Sequence, residues 1–337
     1  MVPDVPVVPD VPVVPTRISV GTSGWNYATG KGTWNGVFYP SRRPRGFDEL
    51  AYYAEHFDTV EVNSTFYRMP EPAMSQAWVR RTPSGFQFAI KLFQKFTHPD
   101  MYLSRNGVSD WDLSRDDVDL FRLGIDPIAE AGRLAAVLIQ FPPSFHAEVE
   151  TRDYLDWLLE AFSGYALAVE LRHRSWSDDE ADTTARLQAR EAAWVLIDEP
   201  KFSSSIRQAP VADLETNPPY VPSSPGLTYI RLHGRNAAQW WEHDASEDRY
   251  DYLYSPAELA PFARTARAAA SSNRRVLMYL NNHFSAKSVA NAVILKHQLD
   301  QAITGEYPAE IVARFPDLAG VVRTSGLPYD QPSGSRE

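Results

Sequence analysis

The sequence predicts an α/β protein: a single-domain (β/α)8 barrel of the TIM type, with an extended proline-rich N-terminal arm. Two observations carry this. Eight short apolar runs, most of them Val/Ile/Leu-rich and without proline, read as strands buried on both faces, and stretches with helical apolar spacing separate most of them. Each run also carries a polar or charged side chain at its end or, in 137–141, next to it, as expected where strand ends converge on the functional mouth of such a barrel. At 337 residues, with 44% hydrophobic and 12% aromatic content, the chain can bury one large core.

The elements follow in order. Residues 1–15 repeat Pro-Asp-Val-Pro-Val-Val with a period of six; proline at every third position favours polyproline II, so this arm is expected to lie outside the barrel. The strand runs are 17–23, 58–63, 86–91, 137–141, 167–172, 193–198, 228–233 and 276–282. Helical spacing covers 47–56, 73–81, 117–133, 153–162, 178–192, 256–271 and 286–299. Ser255-Pro256-Ala257-Glu258 supplies an N-cap, a first-turn proline and an acidic residue at one helix start. The connection 199–225 has six prolines and a triple serine, so a long loop is expected there. The barrel spans 16–300, and 301–337 is an appended segment with a disordered end.

Composition narrows the function classes. A formal charge of −10 disfavours nonspecific attraction to polyanions, so nucleic acid is not the default partner. Without cysteine there is no thiol nucleophile, disulfide or cysteine-ligated metal. No apolar run approaches the ~20 residues of a membrane span, and the N-terminus lacks the pattern of a secretory signal. A cytoplasmic protein with no membrane partner is expected; nothing in the sequence selects an oligomeric state.

Strand parity then selects side chains. Alternation along each run directs Glu61, Asn63, Lys91, Gln140, Glu170, Arg172, Asp198, Arg231, His233, Asn281 and His283 towards the barrel axis. A one-residue slip would flip a strand's whole set, so each assignment depends on its register. A structural polar layer, in which the carboxylates only neutralise the cations, is the alternative. Burying so many ionisable groups is costly enough to favour function for the ring as a whole.

These residues sit in motifs that carry a resemblance. Gly21-Thr22-Ser23-Gly24-Trp25, Val60-Glu61-Val62-Asn63-Ser64-Thr65-Phe66-Tyr67, Phe88-Ala89-Ile90-Lys91 and Gln140-Phe141-Pro142-Pro143-Ser144-Phe145 come first along the chain. Val169-Glu170-Leu171-Arg172-His173-Arg174-Ser175-Trp176, Tyr229-Ile230-Arg231-Leu232-His233-Gly234-Arg235 and Tyr279-Leu280-Asn281-Asn282-His283 complete the set. Together, across about 17–300, they resemble the YecE-like family, domain of unknown function 72. The resemblance implies a TIM barrel, similar at the level of fold to endonuclease-IV-like and xylose-isomerase-like proteins. It implies no reaction, because one barrel hosts many chemistries.

Lys91, Arg172, Arg174 and Arg231, with Arg235 beside them, point to an anionic small-molecule ligand, since arginine's fork matches carboxylate or phosphate oxygens. Glu61, Glu170 and Asp198 are candidate general acids and bases, and His233 and His283 are alternative proton carriers. Ser23, Asn63, Gln140, Asn281 and Asn282 are candidate ligand contacts. Trp25, Tyr67 and Trp176, with Trp240 and Trp241, are aromatics that can stack on a sugar or base, or simply pack.

No cofactor is expected. A divalent metal held by the carboxylates and histidines is the lesser alternative, because cations crowd the same mouth and no His-x-x-x-His pair is present. The sequence therefore suggests a hydrolase, lyase or isomerase acting on a phosphorylated or carboxylated sugar-like molecule by carboxylate acid/base catalysis. A nucleic-acid-processing protein and a non-catalytic anion-binding module are the alternatives.

Overall fold

The computed structural model describes residues 18–208, 226–241, 247–271 and 275–325. The Pro/Val arm, most of the proline-rich connection and the chain end expected to be disordered lie outside the described residues.

Two parallel sheets form the centre. One has the order β1 (Ile18–Thr22), β9 (Arg275–Leu280), β8 (Leu227–Leu232), β7 (Leu196–Asp198). The other runs β2 (Thr59–Val62), β3 (Gln87–Lys91), β4 (Leu134–Gln140), β5 (Leu167–Glu170), β6 (Ala193–Trp194). Strands such as Leu134–Gln140 read as unbroken apolar runs because both faces are covered, which leaves side-chain direction to parity. The expected sixth strand is split at Val195 into β6 and β7, one in each sheet. A parallel bridge between Ser23 and Glu61, with the Gly24 N–H donating to Glu61 O at 2.7 Å, links β1 to β2.

Helices between the strands follow the expected order: α1 (Glu49–His56), α2 (Ser64–Tyr67), α3 (Pro72–Arg80), α4 (Gln94–Thr97), α5 (Pro99–Asn106), α6 (Arg115–Glu130), α7 (Val149–Ala161), α8 (Ser175–Asp178), α9 (Glu180–Ala189), α10 (Pro256–Ala270) and α11 (Lys287–Gln298). The Ser255 hydroxyl accepts from the Glu258 N–H and the Glu258 carboxylate returns to Ser255, closing the capping box at the start of α10. The four-residue helices α2, α4 and α8 carry too few residues to show a period, and the eight-residue α5 buries none of its side chains, so it has no apolar stripe to read. Beyond α11, α12 (Ala309–Arg314) and its flanks insert Tyr307, Ile311, Phe315 and Leu318 into the core, so the segment after residue 300 is packed as far as Val322. Among the described residues no helix is long and apolar enough to cross a membrane.

The sheets face one another through side chains. Tyr229 and Arg231 of β8 reach Glu61 of β2, and Thr59 of β2 meets Tyr279 of β9 at 2.6 Å. Register places Arg231 beside Tyr279, Gln140 beside Glu170, and Ile197 beside Arg231. The C-terminal ends of β2, β4, β5 and β8 therefore bring Glu61, Gln140, Glu170 and Arg231 into one shared space.

A buried ion network at the strand ends

Arg231 is the centre of that space. Its side chain is 1% exposed, and its fork spans two carboxylates: Nη2 donates to Glu61 Oε1 at 2.7 Å and Nη1 to Glu170 Oε2 at 2.5 Å. Both carboxylates are fully buried. Gln140 accepts from Nη1 at 3.2 Å, and the Tyr229 hydroxyl donates to Glu61 Oε2 at 2.6 Å. Arg172 adds a second cation, with Nε donating to Glu170 Oε1 at 2.8 Å. Removing one partner from a buried array of this kind costs far more than an exposed ion pair is worth.

The proton states follow from these contacts. Burial alone would push the Glu170 carboxyl up, but the Arg231 and Arg172 guanidiniums outweigh it and hold Glu170 well below the ordinary carboxylate range. Glu170 is therefore an anion at neutral pH and a poor proton donor. His233 is buried beside the same arginines; burial, then their charge, brings it down to about 3 against the pull of Glu170. Asn281 Nδ2 meets His233 Nδ1 at 2.9 Å, and His233 Nε2 lies 3.4 Å from Glu170 Oε1 and 3.3 Å from Arg172 Nη2.

The sequence-selected residues divide. Glu61, Gln140, Glu170, Arg172, Arg231, His233 and Asn281 are brought together in the network, and Lys91 faces it with its ammonium 4.0 Å from the Phe66 ring centre. Ser23 and Asn63 end β1 and β2 on the same face, and Ser23 Oγ and Asn63 Oδ1 are buried without a hydrogen-bond partner. Tyr67 stands half exposed at the edge with the Arg105 guanidinium over its ring.

Others are placed elsewhere. Asp198 pairs in register with Leu232 and points away from the network, where it binds Arg235 through both oxygens (2.8 and 3.0 Å) and accepts from Tyr254 at 2.6 Å. The facing residue of that strand is its neighbour Glu199, one position on, because the face runs through Ile197. His283 stacks on Tyr27 with ring centres 4.3 Å apart, and burial pushes it down to about 4. Asn282 turns the other way to Tyr252 O and Asn291. Arg174 pairs with Asp178 at 2.9 Å. Trp176 is fully buried with its indole N–H on Phe145 O, and Trp25 packs edge-on against Trp78, so both are packing residues. Trp240 is buried, whereas Trp241 is exposed against Phe202.

Three residues missed by strand parity complete the site. Glu199 is 6% exposed and its Oε2 has only a 3.5 Å ion contact with Arg172; burial raises its pKa above the usual carboxylate value, against the pull of Arg172. His98 lies edge-on to Phe66, and burial, then Lys91 and Arg172, bring it down to about 3. Tyr250 stands against His283, within electrostatic reach of Tyr67 and Arg172. His98 and Tyr250 lie in connections without strand alternation. Glu199 was accessible by counting the same run from Ala193, which shares register with Ala168.

Among the described residues, no three His, Asp or Glu side chains gather as a metal-ligand group. A groove at the opposite, N-terminal ends of the strands is lined by Glu160, Tyr165, Arg190 and Arg275, and none of these belongs to the network.

Residues 19–312 match a family model described as "Protein of unknown function DUF72". The chain is 25% identical over 300 residues to the UPF0759 protein YunF of Bacillus subtilis, covering 87% of this chain and 99% of that one. It is 26% identical over 189 residues to the UPF0759 protein YecE of Escherichia coli K12, covering 54% and 64%. A DUF72 family protein of Thermotoga maritima has a crystal structure similar at a TM-score of 0.68, with 31% identity over 84% of this chain and 99% of that chain. One from Enterococcus faecalis superposes with a TM-score of 0.70 at 21% identity, over 87% and 100%.

Proposed function

The chain belongs to the DUF72 family, a family of unknown function, and on that premise we propose that it is an enzyme acting on a small anionic, sugar-like molecule by acid/base chemistry. The observation that carries this reading is the set of buried polar atoms left without hydrogen-bond partners on one face. Ser23 Oγ, Asn63 Oδ1, Glu199 Oε2 and Arg231 Nε all belong to residues at or beside C-terminal strand ends. Native proteins pair almost all buried polar atoms, so several at one site argue that a polar ligand completes them. The two sheets are, on the same proposal, the halves of one closed (β/α)8 barrel: the Ser23–Glu61 bridge supports the join on one side and the continuous run 193–198 on the other.

The chemistry proposed differs from a simple pair of catalytic glutamates. Glu170 is fixed as an anion and Arg231 is spent on Glu61 and Glu170, so this core sets geometry and field. Proton transfer falls to Glu199, whose carboxyl is raised by burial, and to Lys91, brought down to about 7 by burial. Arg172 borders the ligand's anionic group, with Arg105 and Arg249 farther out around Tyr67. Phosphate recognition on nucleic acid is the weaker reading, since Arg174 is committed to Asp178 and Arg235 to Asp198. The test is turnover across a panel of sugar phosphates and sugar acids. Glu199→Gln should lower kcat by about 100-fold or more, and Arg172→Gln should chiefly raise KM. A substrate turned over equally by wild type and both variants would overturn the assignment.

A further inference from the structure

Lys91 is unlike the other cations of the site. Arg231 and Arg172 hold carboxylates, whereas the Lys91 ammonium makes no hydrogen bond or ion pair with a described residue and lies 4.0 Å from the centre of the Phe66 ring. Its backbone is fixed on both sides: Lys91 O accepts from Thr65 Oγ1 at 2.6 Å, and the next N–H, of Leu92, donates to Leu138 O at 2.8 Å. The amine therefore projects from a rigid strand end past an apolar wall. Burial, then the charge of Arg231, brings it down to about 7 against the opposing pull of Glu170 and Glu61. A desolvated lysine beside a second cation is the arrangement that frees an amine lone pair near neutral pH.

We propose that Lys91 Nζ is a covalent nucleophile, capturing the carbonyl carbon of an anionic aldehyde or ketone, such as a 2-oxo acid or a phosphorylated sugar, as an imine. This rests on the small-molecule enzyme reading above and names its substrate class. The Nζ lone pair forms the C–N bond while the carbonyl π pair moves to oxygen, which takes up the proton leaving nitrogen to give a carbinolamine. A second proton, from solvent, converts the hydroxyl to water; water departs as nitrogen closes the C=N bond. The protonated imine then draws electrons from the neighbouring C–H or C–C bond, and water returns to release the product. No oxidant or reductant takes part.

The test incubates the full chain with glyoxylate or pyridoxal 5′-phosphate at neutral pH, adds cyanoborohydride, and maps the reduced adduct by peptide mass spectrometry. One equivalent is expected on Lys91, formed on the order of a hundredfold faster than on surface lysines, and none in Lys91→Met. Lys91→Arg, which keeps a cation for folding and is checked by its melting curve, should also take no label there. Label spread over other lysines with Lys91 unmodified overturns the proposal. Heat titration with lactate, which has the anion but no carbonyl, separates the two failures: lactate binding lost in Arg172→Gln with no trapped imine leaves the anion site standing, whereas no binding to wild type removes the underlying reading as well.

Discussion

Arg133 and Arg231 are both almost completely buried, at opposite ends of the strands, and their surroundings differ in kind. Arg133, just before β4, donates to three backbone carbonyls and a hydroxyl: Nε to Phe86 O at 2.9 Å, Nη1 to Val79 O at 2.7 Å, and Nη2 to Thr82 Oγ1 and Pro83 O. Every nitrogen has a partner, and all partners are neutral. Arg231 instead balances two buried carboxylates and keeps Nε unpaired. A neutral, complete shell ties a loop to a strand. A charged, incomplete one holds a field and leaves an atom for something else, which is the ordinary distinction between a structural arginine and one at a working site.

The comparison can be broken by rescue. Arg133→Met and Arg231→Met should each cost about 3–5 kcal/mol in urea unfolding, the first by stranding several carbonyls, the second by stranding two anions. Adding Glu61→Gln and Glu170→Gln should restore most of the stability lost in Arg231→Met, while no partner change rescues Arg133→Met. Equal behaviour in the two series would erase the distinction.

A stability gain is expected at Lys91. Its folded-state pKa is lowered to about 7 from an ordinary value near 10.4, so the native state carries the full cost of the buried ammonium below pH 7, and the cost fades as pH rises towards 10.4. Lys91→Met should therefore stabilise the chain by about 1–3 kcal/mol at pH 6 and by progressively less above pH 7, with function lost. A destabilised variant at pH 6 would place Lys91 among the structural groups.

His233 gives the same pH sense in the acid range. The unfolded chain binds its proton near pH 6.5 and the folded chain only near 3, so His233 removes up to about 1.4 kcal/mol of stability per pH unit as pH falls between those values. Acid unfolding of His233→Gln should show a shallower slope in that window. The smallest effect belongs to Asp198→Asn, whose Arg235 partner is partly exposed: a loss of about 0.2–1 kcal/mol is expected, with ligand affinity unchanged.

Much of this was legible in the residues. Apolar runs found each strand, and parity brought Glu61, Lys91, Glu170, Arg172, Arg231 and His233 to one face, because strands buried on both sides have little freedom of register. The errors have local causes. The break at Val195 divides the sixth run between two sheets, and counting from the wrong residue chose Asp198 over Glu199. Phe66 and His98 are set beside Lys91 by the short α2 and by the residue between α4 and α5, segments with no period to read.

The most direct measurement is a heat titration of a bound sugar phosphate or sugar acid into wild type, Arg172→Gln and Asp198→Asn. A ligand site at the facing strand ends predicts one site per chain, affinity reduced by about tenfold or more in Arg172→Gln, and no change in Asp198→Asn. Unchanged affinity in Arg172→Gln, or its loss in Asp198→Asn alone, would contradict the placement of function at the Arg231 network.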